Sequence, residues 1–343
     1  VIGAVQASEA AALAERAAGE EKLGHWQAAG VLFARAFRGH LAAGELEAAL
    51  DALRGQARIR RVERRWSEAE ELAELALEIA VAAALPRAAA RAVNLMALLR
   101  YSQQDLGAAR GLYEDALERA LEVGDDELTG LACMNLGVIS NLQGSYRDAR
   151  VRYLESIGSS VRSGNKWNEM LAYNNLGMVC SDQGEWMEAD VYFARGIEIA
   201  ERTGDQAQTA RLYANHAEPL IHVGEPARAR ETLDRAEAVA LRIAEPEVLA
   251  DVARMRGLLA RREGRHDEAA AHLQRSLSIA ADAGLELERA EALFEIGALR
   301  TETGQGAEAR RVLVEAREVF LELGAQRDAQ RADDLLAGIA EGG

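Results

Sequence analysis

The chain has 343 residues, 49% of them hydrophobic and 28% charged, with aromatics at 5% and only four prolines. Alanine fills about a fifth of the positions; this composition excludes a β-sandwich or barrel and points to an all-helical protein with ample chain for a core. The formal net charge of −16 excludes a general binder of nucleic acid or of an anionic membrane surface, both of which require clustered positive charge.

No apolar run reaches the roughly 18 residues needed to span a bilayer. The two cysteines, Cys133 and Cys180, imply no disulfide framework and fit a reducing cytoplasm. Val1 is not a natural start, so the chain reads as a piece of a longer protein.

Taken in chain order, a short block recurs every 40 residues. It runs from Gly24 to Ala29, Arg64 to Ala69, Gln104 to Ala109, Gly144 to Ala149, Gly184 to Ala189, Gly224 to Ala229, Gly264 to Ala269 and Gly304 to Ala309. Every block ends in alanine. A second mark follows each block start by 20 residues, at Gly44, Ala84, Gly124, Gly164, Gly204, Ala244, Gly284 and Gly324. The phase does not slip across eight units, the signature of a repeat architecture.

Two breaks per repeat leave segments of about 16–18 residues, which is helical length. Apolar residues recur at helical spacing, as in Tyr153, Ile157 and Val161. Pro86, Pro226 and Pro246 stand where helices should begin, a position proline tolerates. The reading is eight antiparallel helix pairs over residues 1–324, forming one superhelical domain, with residues 325–343 as a capping helix and tail. In that last segment Leu336 and Ala337 repeat the start of a ninth unit, and Asp328, Arg331 and Asp334 make one side polar, as an open solenoid end requires. The alanine ending each block lies early in a second helix, where a small side chain lets two helices approach.

The repeat residues resemble the tetratricopeptide repeat family. One unit carries Leu136-Gly137, Gly144, Tyr146, Ala149, Tyr153 and Ser156; the next repeats them as Leu176-Gly177, Gly184, Trp186, Ala189, Phe193 and Gly196. The third copy weakens to His216-Ala217 with Leu233 and Ala236, and outer units keep Ala57, Ala97, Gly257 and Gly297 at the glycine slot. The period departs from the family's usual length of about 34 residues. It is similar to the longer class of kinesin light chains, spindle-orientation adaptors and bacterial peptide-receptor regulators. The resemblance implies an all-α fold, a right-handed α-solenoid of about eight helix-turn-helix repeats plus a C-terminal capping helix, with the first helix of each pair lining a concave groove.

Counting from the glycine slot, the inward positions of successive units offer Arg54, Arg58 and Arg61; Arg91, Asn94 and Tyr101; Asn135 and Asn141; Asn174, Asn175 and Met178; then Arg211, Asn215, Glu218 and His222. Asn135, Asn175 and Asn215 hold one position in three consecutive units. Asparagine is a mediocre helix former, so propensity does not explain the ladder; its amide both donates and accepts, which suits a peptide backbone. Alternatively these amides join neighbouring helices. Arg54, Arg58, Arg61 and Arg91 form a local basic patch that would grip carboxylates, unless Asp51, Glu63 or neighbouring units neutralise it.

Trp26, Trp66, Tyr146 and Trp186 recur at the turns and read as packing; Trp167, at the start of a first helix, reads as core or groove rim. His216, Glu218 and His222 share a segment, but the histidines are six residues apart and face differently, so a metal site is not expected. Pro219 should kink that helix. No phosphate loop, nucleophile elbow or paired-cysteine motif is present. The expectation is therefore a non-enzymatic interaction module without cofactor or metal, binding an extended and acidic peptide or a partner tail in a bacterial regulatory system. Two alternatives stand beside it: the sensor or autoinhibitory arm of a larger signalling ATPase, protease or transcription regulator, and an assembly scaffold.

Overall fold

The computed structural model describes residues 2–341; Val1 and residues 342–343, included in the expected domain bounds, lie outside the described residues. Seventeen helices run in order among them. They are α1 (Ile2–Lys22), α2 (Trp26–Ala43), α3 (Leu46–Val62), α4 (Trp66–Ala82), α5 (Pro86–Ser102), α6 (Leu106–Glu122), α7 (Asp126–Leu142), α8 (Tyr146–Ser163) and α9 (Lys166–Asp182). There follow α10 (Trp186–Thr203), α11 (Gln206–His222), α12 (Pro226–Ile243), α13 (Pro246–Arg262), α14 (His266–Ala283), α15 (Glu286–Glu302), α16 (Gly306–Glu322) and α17 (Gln326–Glu341). This is a solenoid of about eight helix pairs plus a capping helix.

The turns explain the regular phase. Each helix but the last ends with its chain reversing through one residue of positive φ, and those residues are the sixteen sequence marks. Gly144 is representative, at φ 72°. Its N–H donates to the carbonyl of Asn141 (2.9 Å), and the Ser145 N–H donates to the carbonyl of Ser140 (2.8 Å), closing the last helical turn. Pro86, Pro226 and Pro246 occupy the first turns of α5, α12 and α13. Asp105, Asp125, Asn165 and Asp205 each accept a backbone N–H three residues on, capping the next helix.

The helices gather into two compact units, Val1–Ala172 and Tyr173–Gly343, divided within α9. In the first unit each helix packs on the next in sequence, and α1, α3, α5 and α7 also touch in succession. In the second, α11, α13, α15 and α17 do the same. Among the described residues, consecutive even-numbered helices do not come into close backbone packing; they are bridged by long side chains, as in Arg228–Asp190 between α12 and α10 and Arg275–Glu237 between α14 and α12. Odd helices are thus nearer one another than even ones, so the odd helices form the inner layer of each unit.

Within a pair, the repeat residues do the packing. The alanine ending each block, Ala29 through Ala309, is fully buried. Tyr113, Tyr153 and Phe193 are about 1% exposed, and Leu233, Leu273 and Leu313 are wholly buried at the same register. Burying such a side chain is worth roughly 1.5–3 kcal/mol. The Tyr153 ring passes so close to Gly137 that a Cβ there would stand 2.6 Å from it.

Two local features qualify the reading from spacing alone. Val161 continues the spacing of Tyr153 and Ile157 but is 53% exposed; Val81, Leu121 and Leu241 are exposed at the same register, while Ser160 beside Val161 is buried. The packed face has rotated past this position by the last turn of α8. Pro219, where the sequence predicts a kink, lies inside α11, which runs the same 17 residues as its equivalents. Its ring is buried, and tertiary packing overrides its missing N–H.

Candidate functional site

In the first unit, α3, α5 and α7 carry the inward residues. The four arginines expected to form a patch are largely tied to carboxylates. Arg54 pairs with Asp51 three residues earlier. Burial, reinforced by Arg91 and Arg58, pulls its guanidinium down to about 10, and its Nη1 is buried with no partner among the described residues. Arg58 forks onto Glu21 of α1 through Nε (3.0 Å) and Nη2 (2.9 Å), with its guanidinium over the Phe33 ring. Arg91 reaches Asp125 at 3.2 Å and Glu127 at 3.6 Å. Glu63 pairs outside this set, with Arg60 and Arg65.

Arg61 differs. Its Nη1 donates to the Ser102 hydroxyl at 3.3 Å, no carboxylate pairs with it among the described residues, and its Nε is buried without a partner. The Tyr113 hydroxyl nearby is likewise buried and unpartnered. Burial raises the phenols of both Tyr101 and Tyr113 above the usual range. Asn94 Oδ1 and Asn141 Oδ1 are buried acceptors with no donor among the described residues, and Asn135 makes no hydrogen bond there. Among the described residues, α3, α5 and α7 therefore present one cation without a counter-ion, Arg61, and amides with unused capacity.

The second unit separates the asparagine ladder. Asn135 belongs to the first unit, Asn175 and Asn215 to the second. Asn215 Nδ2 donates to Asn174 Oδ1 at 3.0 Å, and Asn174 Nδ2 lies 3.4 Å from Asn175 Oδ1 and 3.5 Å from the Met178 sulfur. Here the amides join neighbouring helices. Met178 is 43% exposed. Arg211 is held by Glu245 (3.1 Å) and Glu247 (2.8 Å).

Glu218 makes no hydrogen bond or ion pair among the described residues, and burial pushes its carboxyl up against the pull of Arg254 and Arg331. His222 stacks on Trp186, with ring centroids 3.9 Å apart and planes 10° apart. Burial, with Arg262, Arg261 and Arg331 adding to it, lowers its imidazole to about 4. His216 turns the other way, to Asp190 of α10 at 2.6 Å. Among the described residues no three His, Cys, Asp or Glu side chains are grouped to hold a metal ion, and no helix is long and apolar enough to cross a membrane.

Cys133 and Cys180 are buried, and burial pushes the Cys133 thiol up to about 12. Trp167 is half-exposed at the start of α9. Sequence reasoning missed Tyr113, whose slot reads as packing, and Arg327. Arg331, which it assigned to an end cap, stands at the same offset as Asp51, Arg91 and Arg211 and so at an inward position.

A tetratricopeptide repeat family model matches residues 168–242. No curated protein sequence matches the chain. Among solved structures, the chain is similar to a Rap protein complexed with competence and sporulation factor, at 14% identity and TM-score 0.57, covering 98% of each chain. It is also similar to a signal-transduction ATPase of the STAND class with a tetratricopeptide repeat sensor from Pyrococcus horikoshii, at 17% identity and TM-score 0.63, covering 80% of this chain and 43% of that one. A third likeness is to BtubC from P. vanneervenii, at 21% identity and TM-score 0.54, covering 71% of this chain and 93% of that one. At these identities the likeness concerns the fold. The family match over residues 168–242, the unbroken register of helix pairs and the inner layer of odd helices together show a solenoid of the tetratricopeptide repeat type.

Proposed function

We propose that the chain is a non-enzymatic, cytoplasmic interaction module that binds an extended, acidic peptide or partner tail along α3, α5 and α7, as part of a bacterial regulatory system. The observation that carries this reading is the set of unsatisfied polar groups on the inner layer of the first unit. Asn94, Asn135 and Asn141 retain acceptor and donor capacity suited to a peptide main chain. Arg61, lacking a carboxylate, is the cation left for an acidic side chain. The likeness to a Rap protein in complex with a peptide factor favours the same use of the fold.

A second reading, a sensor arm of a larger signalling ATPase, is favoured by the match to 43% of a STAND protein that includes such a sensor.

The test is selection of a phage-displayed random peptide library against the protein, with a variant carrying Asn94→Ala, Asn135→Ala, Asn141→Ala and Arg61→Gln as the counter-target. Acidic peptides enriched on the parent and lost on the variant support the proposal. Equal enrichment on both, or none on either, overturns it.

A further inference from the structure

The inner layer of the second unit is spanned by its own last helix. Arg327 of α17 donates from Nη2 to the main-chain carbonyl of Asp182 at 3.1 Å, and its Nη1 forms an ion pair with the Asp182 carboxylate. The two residues are 145 positions apart, and their helices, α9 and α17, are the first helices of units four repeats apart. Asp182 is the last residue of α9. Its open carbonyl, its carboxylate and the negative end of the helix all favour a cation there.

The rest of α17 points the same way. Ala329 and Ala332 are buried against α16, anchoring one face. The opposite face carries Arg327, Asp328 and Arg331. The Arg331 guanidinium lies 4.7 Å over the Phe294 ring of α15 and pairs with Asp328 at 3.1 Å. It is also among the cations acting on Glu218 and His222 of α11. The polar side expected to cap an open end is therefore turned onto the inner helices.

We infer that α17 is a latch, held across the inner layer of the second unit by the Arg327–Asp182 pair, and that an occupant of that layer must displace it. Direct packing joins α17 to α16 and, less extensively, to α15, and the Arg327–Asp182 pair ties it to α9. The inference does not depend on the peptide reading of the first unit, because the latch is closed or open without any ligand.

The test is a distance measurement by double electron–electron resonance on the full chain, with spin labels at Glu188→Cys and Gln330→Cys, both exposed; the native cysteines are buried. The parent should give one narrow distance distribution. Arg327→Glu should shift it to a longer, broader one, and adding Asp182→Arg should restore the narrow peak. An unshifted distribution in Arg327→Glu would show that the packing of α17 on α16 and α15 holds it without the pair and would overturn the latch. Failure of the charge swap to restore the peak would overturn the assignment to this pair, and circular dichroism on both variants separates either result from misfolding.

Discussion

Four of the sixteen turns place a residue other than glycine in the left-handed region: Arg64 (φ 58°), Ala84 (53°), Gln104 (65°) and Ala244 (54°). All four side chains are exposed, and none makes a hydrogen bond or ion pair among the described residues. Replacing them with glycine therefore removes no contact. An L-residue pays about 1–2 kcal/mol to stand in this region, and glycine returns about 0.4–1 kcal/mol of that through its freer unfolded chain. The net gain should be about 0.5–1 kcal/mol per site. The sites lie in separate turns, so Arg64→Gly, Ala84→Gly and Gln104→Gly together should stabilise the first unit by about 2 kcal/mol. Urea unfolding followed by circular dichroism reads this as a higher midpoint for the first unit's transition. The control is Gly144→Ala: its Cβ would meet nothing within 4 Å, so a loss of about 1 kcal/mol there is a backbone effect alone. A triple glycine variant no more stable than the parent would refute the claim that these turns are strained.

Tyr113→Phe removes a buried, unpartnered hydroxyl and should stabilise the apo protein by about 1 kcal/mol in thermal melts; destabilisation would mean that the hydroxyl is bonded. Ser276 Oγ donates only to the Ala250 carbonyl at 2.8 Å, so Ser276→Ala should cost about 1 kcal/mol. Ser156 Oγ donates to the Gly130 carbonyl (2.8 Å) and also accepts from Asn168 Nδ2 (2.9 Å), so Ser156→Ala should cost about 2 kcal/mol; equal losses in denaturant titrations would contradict the difference. The lowered pKa of His222 means that the unfolded chain takes up a proton first as pH falls. Stability should drop between about pH 6.5 and 4, by about 1 kcal/mol after screening at this partly exposed ring, and His222→Gln should flatten that slope. An imidazole that NMR shows titrating near 6.5 would refute it.

The fold was legible because its determinants are local and repeated. The turn marks in the sequence are the residues that carry positive φ, including Ala84 and Ala244, where no glycine draws the eye. The candidate site was legible in position more than in chemistry. Offsets along one helix placed Arg54 beside Asp51, but Glu21 and Asp125, which engage Arg58 and Arg91, stand 34–37 residues away, in α1 and at the cap of α7. Helical spacing does not report such partners, so a patch read as open is mostly paired. The asparagine ladder shows the same limit: identical register gave Asn215 a neighbour in Asn174 and left Asn135 without one. Val161 shows it for packing, since an apolar residue at helical spacing can still fall off the packed face, as it does at 53% exposed beside the buried Ser160. The Arg327–Asp182 pair lies furthest beyond the sequence, because it depends on curvature accumulated over four repeats.

The asymmetry between the two layers has a mechanical consequence. Consecutive odd helices pack directly, whereas consecutive even helices are bridged by side-chain pairs such as Arg228–Asp190 and Arg275–Glu237, so tension along a unit would strain those pairs and tilt each repeat about the inner seam before opening any repeat's own core. Tyr153 stays under Gly137 whether its neighbours splay or close. Each unit is thus a spring with stiff coils and soft joints, and in the second one Arg327 sets how far it extends before a bond must break.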